Sequence, residues 1–488
     1  MAASIAAKSP PRTISAIAPS NSFSPVKGRR PQCPANFPPC GHFDIPPRRP
    51  GRPDAQRPRG APGPAPETGG NTQELASNTQ EFCSTIWVRA QSATPRAAVG
   101  QVSDVPPPLP PFADADRTVI AADPKDYWRA LQSEAVFVGM GGYYLVTRRE
   151  DVLAALGDYA TFTSRRQPLP LPGAGMKTLP TPVPLAYDPP EHSRFRRILQ
   201  PYFTPRAVDA LLPALREQAS VLIDALVPRG GCDAIADVAV PFPFGVLTAL
   251  CGLPPGDRDK LAAWAEDVNW DTPGSPHASG LFAYLVEAIT GEARPALASR
   301  LLTGADPLTE NEAIGFYALL CSAQDAIQAA IGSALLQLAR DRRLRRSLRD
   351  NPDQIGAFIE ELLRLETPFP FIGRFTARQV TLAGVTIPAG SVVVLCLATT
   401  NLEAGDGSSV TLTDDGEIRP KRHRSFAAGV HRCLGKALAR MELTVIITEF
   451  LNAVKDFELE PDFTPAFTFT PGGAVMPSSL PLRWSPPP

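Results

Sequence analysis

Several things are scarce in this chain of 488 residues, and each scarcity excludes something. Net charge is almost absent, with 48 Lys and Arg against 49 Asp and Glu. Nucleic acid and other polyanions are therefore not expected partners. The eight cysteines are scattered and include no CxxC pair. A disulfide framework is excluded, and free thiols suit a reducing compartment. Only five histidines occur, His42, His192, His277, His423 and His431. They are too dispersed for HExxH or a zinc module. No stretch reaches the roughly 18–20 apolar residues of a membrane span. The run from Val238 to Leu253 comes nearest, and Pro241 and Pro243 interrupt it. No integral membrane segment is expected.

Proline is plentiful but unevenly spread: 22 of 56 fall before residue 112. Residues 1–104 carry no apolar periodicity. Such a segment buries too little surface to offset its ordering entropy, so disorder is expected there. No acidic residue precedes Asp44, whereas Lys8, Arg12, Lys27, Arg29 and Arg30 do. That bias is like an organelle transit peptide, yet no Arg-rich amphipathic helix accompanies it. A non-functional extension from an upstream start is the other reading. Neither gives the segment a catalytic role.

From Pro106 the pattern changes. A short helix is expected over 123–131. A hairpin is expected from 135–138 and 143–147, turned at 139–142. A further helix begins at Glu150, and a proline-rich loop fills 162–187. His192 and Arg196, four apart, share a face of the helix that opens at Asp188-Pro189-Pro190. Residues 206–228, 234–266 and 281–302 read as helices. Trp264, Trp270, Phe282 and Tyr284 fall in or between these spans, and core packing is the commoner role of aromatics at helical spacing. Thr309 and Glu312 have capping-box spacing. A single helix of about 30 residues is expected after them, apolar nearly all round and hence buried. Asp325 in its middle is costly unless paired or functional. Two strands are expected, one over 380–383 and, after a turn at Gly384, one over 385–390 and on through 391–395, with a last hairpin near Thr470 to Pro477.

The most informative stretch is Phe426-Ala427-Ala428-Gly429-Val430-His431-Arg432-Cys433-Leu434-Gly435, which runs into a long helix-forming segment. It delivers one cysteine to a helix start. There the free N–H groups and the positive end of the dipole favour a thiolate. An anionic, fixed sulfur, hydrogen-bonded on its outer side, is what a haem iron takes as an axial ligand. Taken alone, a cysteine before a helix is more often a small buried hydrophobe.

The phrase as a whole resembles the haem-ligand loop of the cytochrome P450 family, Phe-Gly-x-Gly-x-His/Arg-x-Cys-x-Gly. Phe426, Gly429, His431, Cys433 and Gly435 match, while Ala427 stands in place of a glycine. Further matches extend the resemblance over roughly 105–488. His192 and Arg196 are similar to the family's His-x-x-x-Arg pair for haem propionates, and Arg374 to its strand arginine. Glu361 and Arg364 resemble the Glu-x-x-Arg structural pair. Ser322-Ala323-Gln324-Asp325-Ala326 resembles the signature Ala-Gly-x-Asp/Glu-Thr of the long central helix. Asp325 matches the acid, but Ala326 replaces the threonine whose hydroxyl takes part in proton delivery. After Asn401 the expected Arg-Asp-Pro is missing, and the arginine completing the Glu361 network is not identifiable.

The resemblance implies a mainly α fold with small β-sheets, one large domain over 105–488 with a long central helix and buried haem. It implies haem b (iron protoporphyrin IX) with Cys433 as axial thiolate, held by His192, Arg196, Arg374, His431, Phe426 and Gly435. Asp325, Ala326 and Ser322 would form the catalytic distal site. Phe369, Phe371, Ile372, Val475 and Ala323 would line the substrate pocket. Arg197 would face solvent or a redox partner. The expected activity is a soluble, cytoplasmic, bacterial-type monooxygenase. It would insert one atom of O2 into an apolar small molecule, with electrons from NAD(P)H through a ferredoxin and its reductase. Ala326 leaves a peroxide-driven or non-oxygenating haem enzyme as an alternative. Ala326, Ala427 and the altered 401–424 segment together leave a haem-binding ligand sensor as another.

Overall fold

The computed structural model describes residues 119–120, 123–138, 143–165, 180–265, 276–405, 407–470 and 472–486. The segment 1–104, the hairpin turn at 139–142 and Trp270 lie outside them, as does most of the proline-rich loop. Fifteen α-helices are described. In chain order they are α1 Pro124–Leu131, α2 Arg149–Gly157, α3 Glu191–Leu199, α4 Pro205–Asp209 and α5 Leu212–Asp224. Then come α6 Pro241–Cys251, α7 Arg258–Ala265, α8 Pro276–Thr290, α9 Ala296–Thr303 and α10 Glu310–Ser322. The last five are α11 Gln324–Arg340, α12 Arg342–Asp350, α13 Ile355–Glu366, α14 Leu397–Leu402 and α15 Lys436–Ala453.

The principal sheet joins β2 Val136–Val138, β3 Tyr143–Val146, β9 Val392–Cys396, β6 Phe371–Thr376 and β4 Phe162–Thr163, in that order across it. Only β3 and β9 run parallel. Its two faces meet different cores. Val394 and Cys396 belong to the large helical core, whereas Val393 and Leu395 belong to a smaller cluster with Val146, Val152 and Phe162. Strand alternation sends neighbours to opposite faces. Phe371 therefore packs in the helical core, edge-on to Trp128 at 5.3 Å, while Ile372 packs against the smaller cluster. The two side chains, both expected at the substrate pocket, therefore face opposite sides of β6.

Three expected helices are divided. Residues 234–266 begin as a π-helical turn at Ile235–Ala239, and α6 ends at Gly252, left-handed at φ +73°, with Pro254 and Pro255 following. The 281–302 span breaks at Gly291 to Arg294, before Pro295 opens α9. The central helix breaks at Ala323 (ψ −12°) into α10 and α11. The Gln324 side-chain amide donates to Leu320 O at 2.7 Å there, supplying a donor to a carbonyl of the interrupted ladder. Thr309 and Glu312 form the capping box expected at its start.

The span Glu310–Arg340 is also long and apolar enough to cross a membrane, contrary to the sequence count. Two-thirds of its most apolar window is covered by the fold, so its hydropathy is that of a core element. Around it pack α13, α15 and the last strand pair, β11 Phe467–Phe469 with β12 Val475–Pro477. Of the aromatics at helical spacing, Phe282 is core, and Trp264 and Tyr284 hold the Lys260 ammonium 4.6 Å from each ring.

Candidate functional site

The loop before α15 closes on itself. Cys433 N–H donates to Phe426 O at 2.9 Å, and Ala427 N–H to Arg424 O at 2.7 Å. Two left-handed residues set its course, Ala427 at φ +54° and Gly429 at φ +69°. A Cβ at Gly429 would stand 2.1 Å from Leu156 O, so only glycine fits against the end of α2. Ala427 occupies the family's glycine slot and bears the left-handed cost, about 1–2 kcal/mol.

The Cys433 side chain is exposed. Protein nonetheless encloses it closely enough for burial to push its thiol up, against the Gly435 N–H and the charges of Arg196, Lys436 and Arg440. Both hold for a side chain lining the inside of the fold. The cations would favour the thiolate once an electrophile met the sulfur.

The four predicted propionate residues are brought together beside this loop. His192 and His431 rings lie 4.3 Å apart. Arg196 donates to Arg432 O at 3.0 Å and to Gln200 Oε1 at 3.2 Å. Arg374, buried on β6, donates to Gly373 O at 2.8 Å. Burial, His431 and Arg196 bring His192 down to about 4. Burial and Arg374 also lower His431, against Asp188. Two arginines beside two neutral imidazoles suit a doubly anionic ligand edge. Arg197, by contrast, is exposed.

Beneath the loop, Arg364 is fully buried, with its Nη2 2.6 Å from Glu361 Oε1. It also donates to Asn401 O and Gly405 O, while Lys421 N–H donates to Glu361 Oε2. The Glu-x-x-Arg pair is thus buried, as the resemblance implied. Arg419, in the altered segment, is exposed and pairs with Asp415 and Glu417. A second tie runs through Glu360, which Arg440 meets at 2.6 Å and His423 at 3.3 Å. Burial would raise this carboxyl, but Arg440 and His423 hold it at about 2. Arg440 then lies over the Phe426 ring at 4.5 Å.

Midway along the central helix, Leu319, Leu320, Ser322, Ala326 and Ile327 are half-buried and Ala323 is exposed. Spacings of three, four and seven put Leu319, Ser322, Ala323 and Ala326 on one face. Ser322 Oγ donates to Leu319 O at 3.1 Å. Asp325 is buried, and its Oδ2 accepts from Gly472 N at 3.1 Å. Val475 is buried in β12, and Phe369 is half-buried after α13.

The sequence reading overlooked Asp188, Glu360, His423, Asn401 and Gly472. Asp188 accepts from His431 Nε2 at 3.0 Å, from Ser164 N and from Thr163 Oγ1. Asn401 bonds Thr367 Oγ1, Ser425 Oγ and Arg424 N, tying α13 to the cysteine loop. Each partner is 23 to 243 residues away, so no local pattern announces it.

An apolar, small-residue strip, an accessible thiol and cations at one edge fit a flat apolar group with two carboxylates. Among the described residues, no three His, Cys, Asp or Glu side chains cluster as a bare metal ion would require. The arrangement suits a haem-thiolate site, and the comparisons point to one family. The Cytochrome P450 family model matches residues 412–482. Cytochrome P450 130 of Mycobacterium tuberculosis is 31% identical over 336 residues, covering 65% of this chain and 83% of that protein. The vitamin D(3) 25-hydroxylase of Pseudonocardia autotrophica is 34% identical over 327 residues, covering 63% and 79%. The structure of P450BioI in complex with hexadec-9Z-enoic acid ligated acyl carrier protein superposes with a TM-score of 0.65 at 27% identity. It covers 75% of this chain and 99% of that one. This chain belongs to the cytochrome P450 family and is a haem-thiolate monooxygenase.

Proposed function

We propose that Cys433 is the axial thiolate of a haem b, and that the enzyme oxygenates a small or medium apolar organic molecule. The observation that carries this is one exposed cysteine at a helix start, beside Arg196, Arg374, His192 and His431. The haem supplies the oxygen chemistry; the chain supplies the ligand, the charge balance and a water-poor pocket. Arg196 and Arg374 supply the charge that neutralises the propionates, and His431 meets them by hydrogen bond, with His192 assisting. Phe426 and Gly435 frame the sulfur. Ala323, Phe369, Val475 and whichever of Phe371 and Ile372 faces the distal side contact substrate. Relatives named as hydroxylases of vitamin D(3) and mycinamicin IV support an apolar substrate class. Electrons come from NAD(P)H through a ferredoxin and its reductase, in the cytoplasm. Residues 105–488 form the catalytic domain, and 1–104 take no part in it.

Asp325 is the acid beside the open strip, with Ser322 and Ala326 as its neighbours. Without a threonine hydroxyl at 326, protons travel through ordered water or a hydroxyl on the substrate. The same alanine favours a second reading, in which peroxide replaces O2 and the electron donors. Turnover with ferredoxin and reductase, set against turnover with peroxide alone, separates the two. The ligand assignment is tested by reduction under carbon monoxide. The parent protein is expected to show the red-shifted Soret band of thiolate-bound haem, and Cys433→Ala to lose it. Retention of the band by Cys433→Ala would overturn the assignment.

A further inference from the structure

The acid position of the central helix does something that its family role does not require. Asp325 Oδ2 accepts a backbone hydrogen bond from Gly472, 147 residues later, in the turn of the last hairpin. That turn is compact: Gly473 N–H donates to Thr470 O, Thr470 N–H to Ala474 O, and Ala474 N–H to Thr470 Oγ1. Val475 N–H, just beyond it, donates to Pro368 O at 2.9 Å. The turn end of the hairpin is therefore held by a carbonyl after α13 and a carboxylate at the break between α10 and α11, while β11 pairs along its length with Val119–Ile120. Contact at Gly472 is close. A Cβ there would lie 2.6 Å from Asp325 Oδ2, 3.4 Å from its Cγ and 3.6 Å from Ser322 O.

We infer that Asp325 is a positioning residue which latches the hairpin turn onto the central helix, and so sets how far the turn reaches toward bulky ligands. This rests on the reading that the hairpin borders the substrate pocket. A charged acceptor for a backbone N–H is among the stronger hydrogen bonds, and in a buried setting it fixes a backbone position. Ala323 and Ala326 flank Asp325 on the open strip, so one short segment both borders the ligand and holds the turn opposite. The role needs an oxygen acceptor, not a proton. An asparagine at 325 keeps the acceptor and loses the acid; an alanine loses both. Gly472→Ala leaves the acid in place and pushes it off the turn.

Amide hydrogen exchange at Gly472, Gly473 and Ala474 tests the latch without using turnover. Exchange is expected to quicken about tenfold or more in Asp325→Ala and Gly472→Ala, and to stay within about twofold of the parent in Asp325→Asn. The double variant Asp325→Ala/Gly472→Ala is expected to be no faster than Asp325→Ala, because residues in one contact are not additive. Binding is probed in parallel with imidazole and with the bulkier 4-phenylimidazole. Affinity for the bulky probe is expected to shift at least fivefold in the two latch-breaking variants, with imidazole unchanged. Parent-like exchange in Asp325→Ala, or equal acceleration in Asp325→Asn, would overturn the latch. Altered exchange with unaltered bulky-probe binding would overturn its part in shaping the pocket. Loss of the carbon monoxide band in the parent would instead strike the haem reading, which exchange does not depend on.

Discussion

His431 Nε2 stands 3.0 Å from Asp188 Oδ1, across 243 residues of sequence. The contact joins the cysteine loop to the segment that opens α3. It turns the Nε2 edge of the His431 ring toward an acid while Arg374 and Arg196 lower its proton affinity. The same carboxylate holds Ser164 and Thr163. Asp188 is thus the hub that orients the imidazole two residues before Cys433.

That geometry ranks the basic residues. Removing one partner of a buried charged contact costs about 3–5 kcal/mol. Arg374→Leu is expected to lower haem retention strongly, and Arg197→Leu, at an exposed position, to leave it unchanged. Asp188→Ala should fall between them, by freeing His431. Haem content per chain after gel filtration reads all three, and equal values for Arg374→Leu and Arg197→Leu would refute the placement.

The cysteine loop makes opposite predictions at two neighbouring positions. Ala427→Gly relieves a left-handed side chain and should raise stability by about 1 kcal/mol. Gly429→Ala drives a Cβ into Leu156 O and should destabilise by several kcal/mol or abolish folding. Thermal melts of the two variants give the signs directly.

Proton delivery is tested at Ala326. With a substrate bearing a well-placed hydroxyl, Ala326→Thr should change little. With its deoxy analogue, product per NAD(P)H should rise and hydrogen peroxide release should fall. Equal coupling for both substrates in the parent, with no effect of Asp325→Asn on either, would sink this account.

Two carboxyls, half-buried Glu360 and buried Glu442, should shape the pH dependence with opposite signs. Glu360 is held at about 2, below the usual 4.5. Its stabilisation is present above about 4.5 and is lost as pH falls through about 2. Glu442 has no hydrogen bond at Oε2, and burial pushes it up to about 8. Its folded form binds the extra proton, so stability declines as pH rises from about 4.5 toward 8. Glu360→Gln should flatten the acid limb of denaturant midpoint against pH, and Glu442→Gln the alkaline limb.

Local chemistry in the sequence determined much of this protein. The cysteine phrase, the capping box at Thr309, the buried Glu361–Arg364 pair and the hairpin strands each depend on neighbours within a few residues, where spacing and residue type suffice. The grouping of His192, Arg196 and His431 was foreshadowed by the family resemblance, and the fold gathers them beside Arg374. Three-dimensional packing decided the rest. Whether Phe371 and Ile372 share a wall depends on which core lies on each side of β6. Asp188, Asn401 and the Asp325–Gly472 bond join segments far apart in sequence, and only chain closure brings such groups within hydrogen-bonding reach.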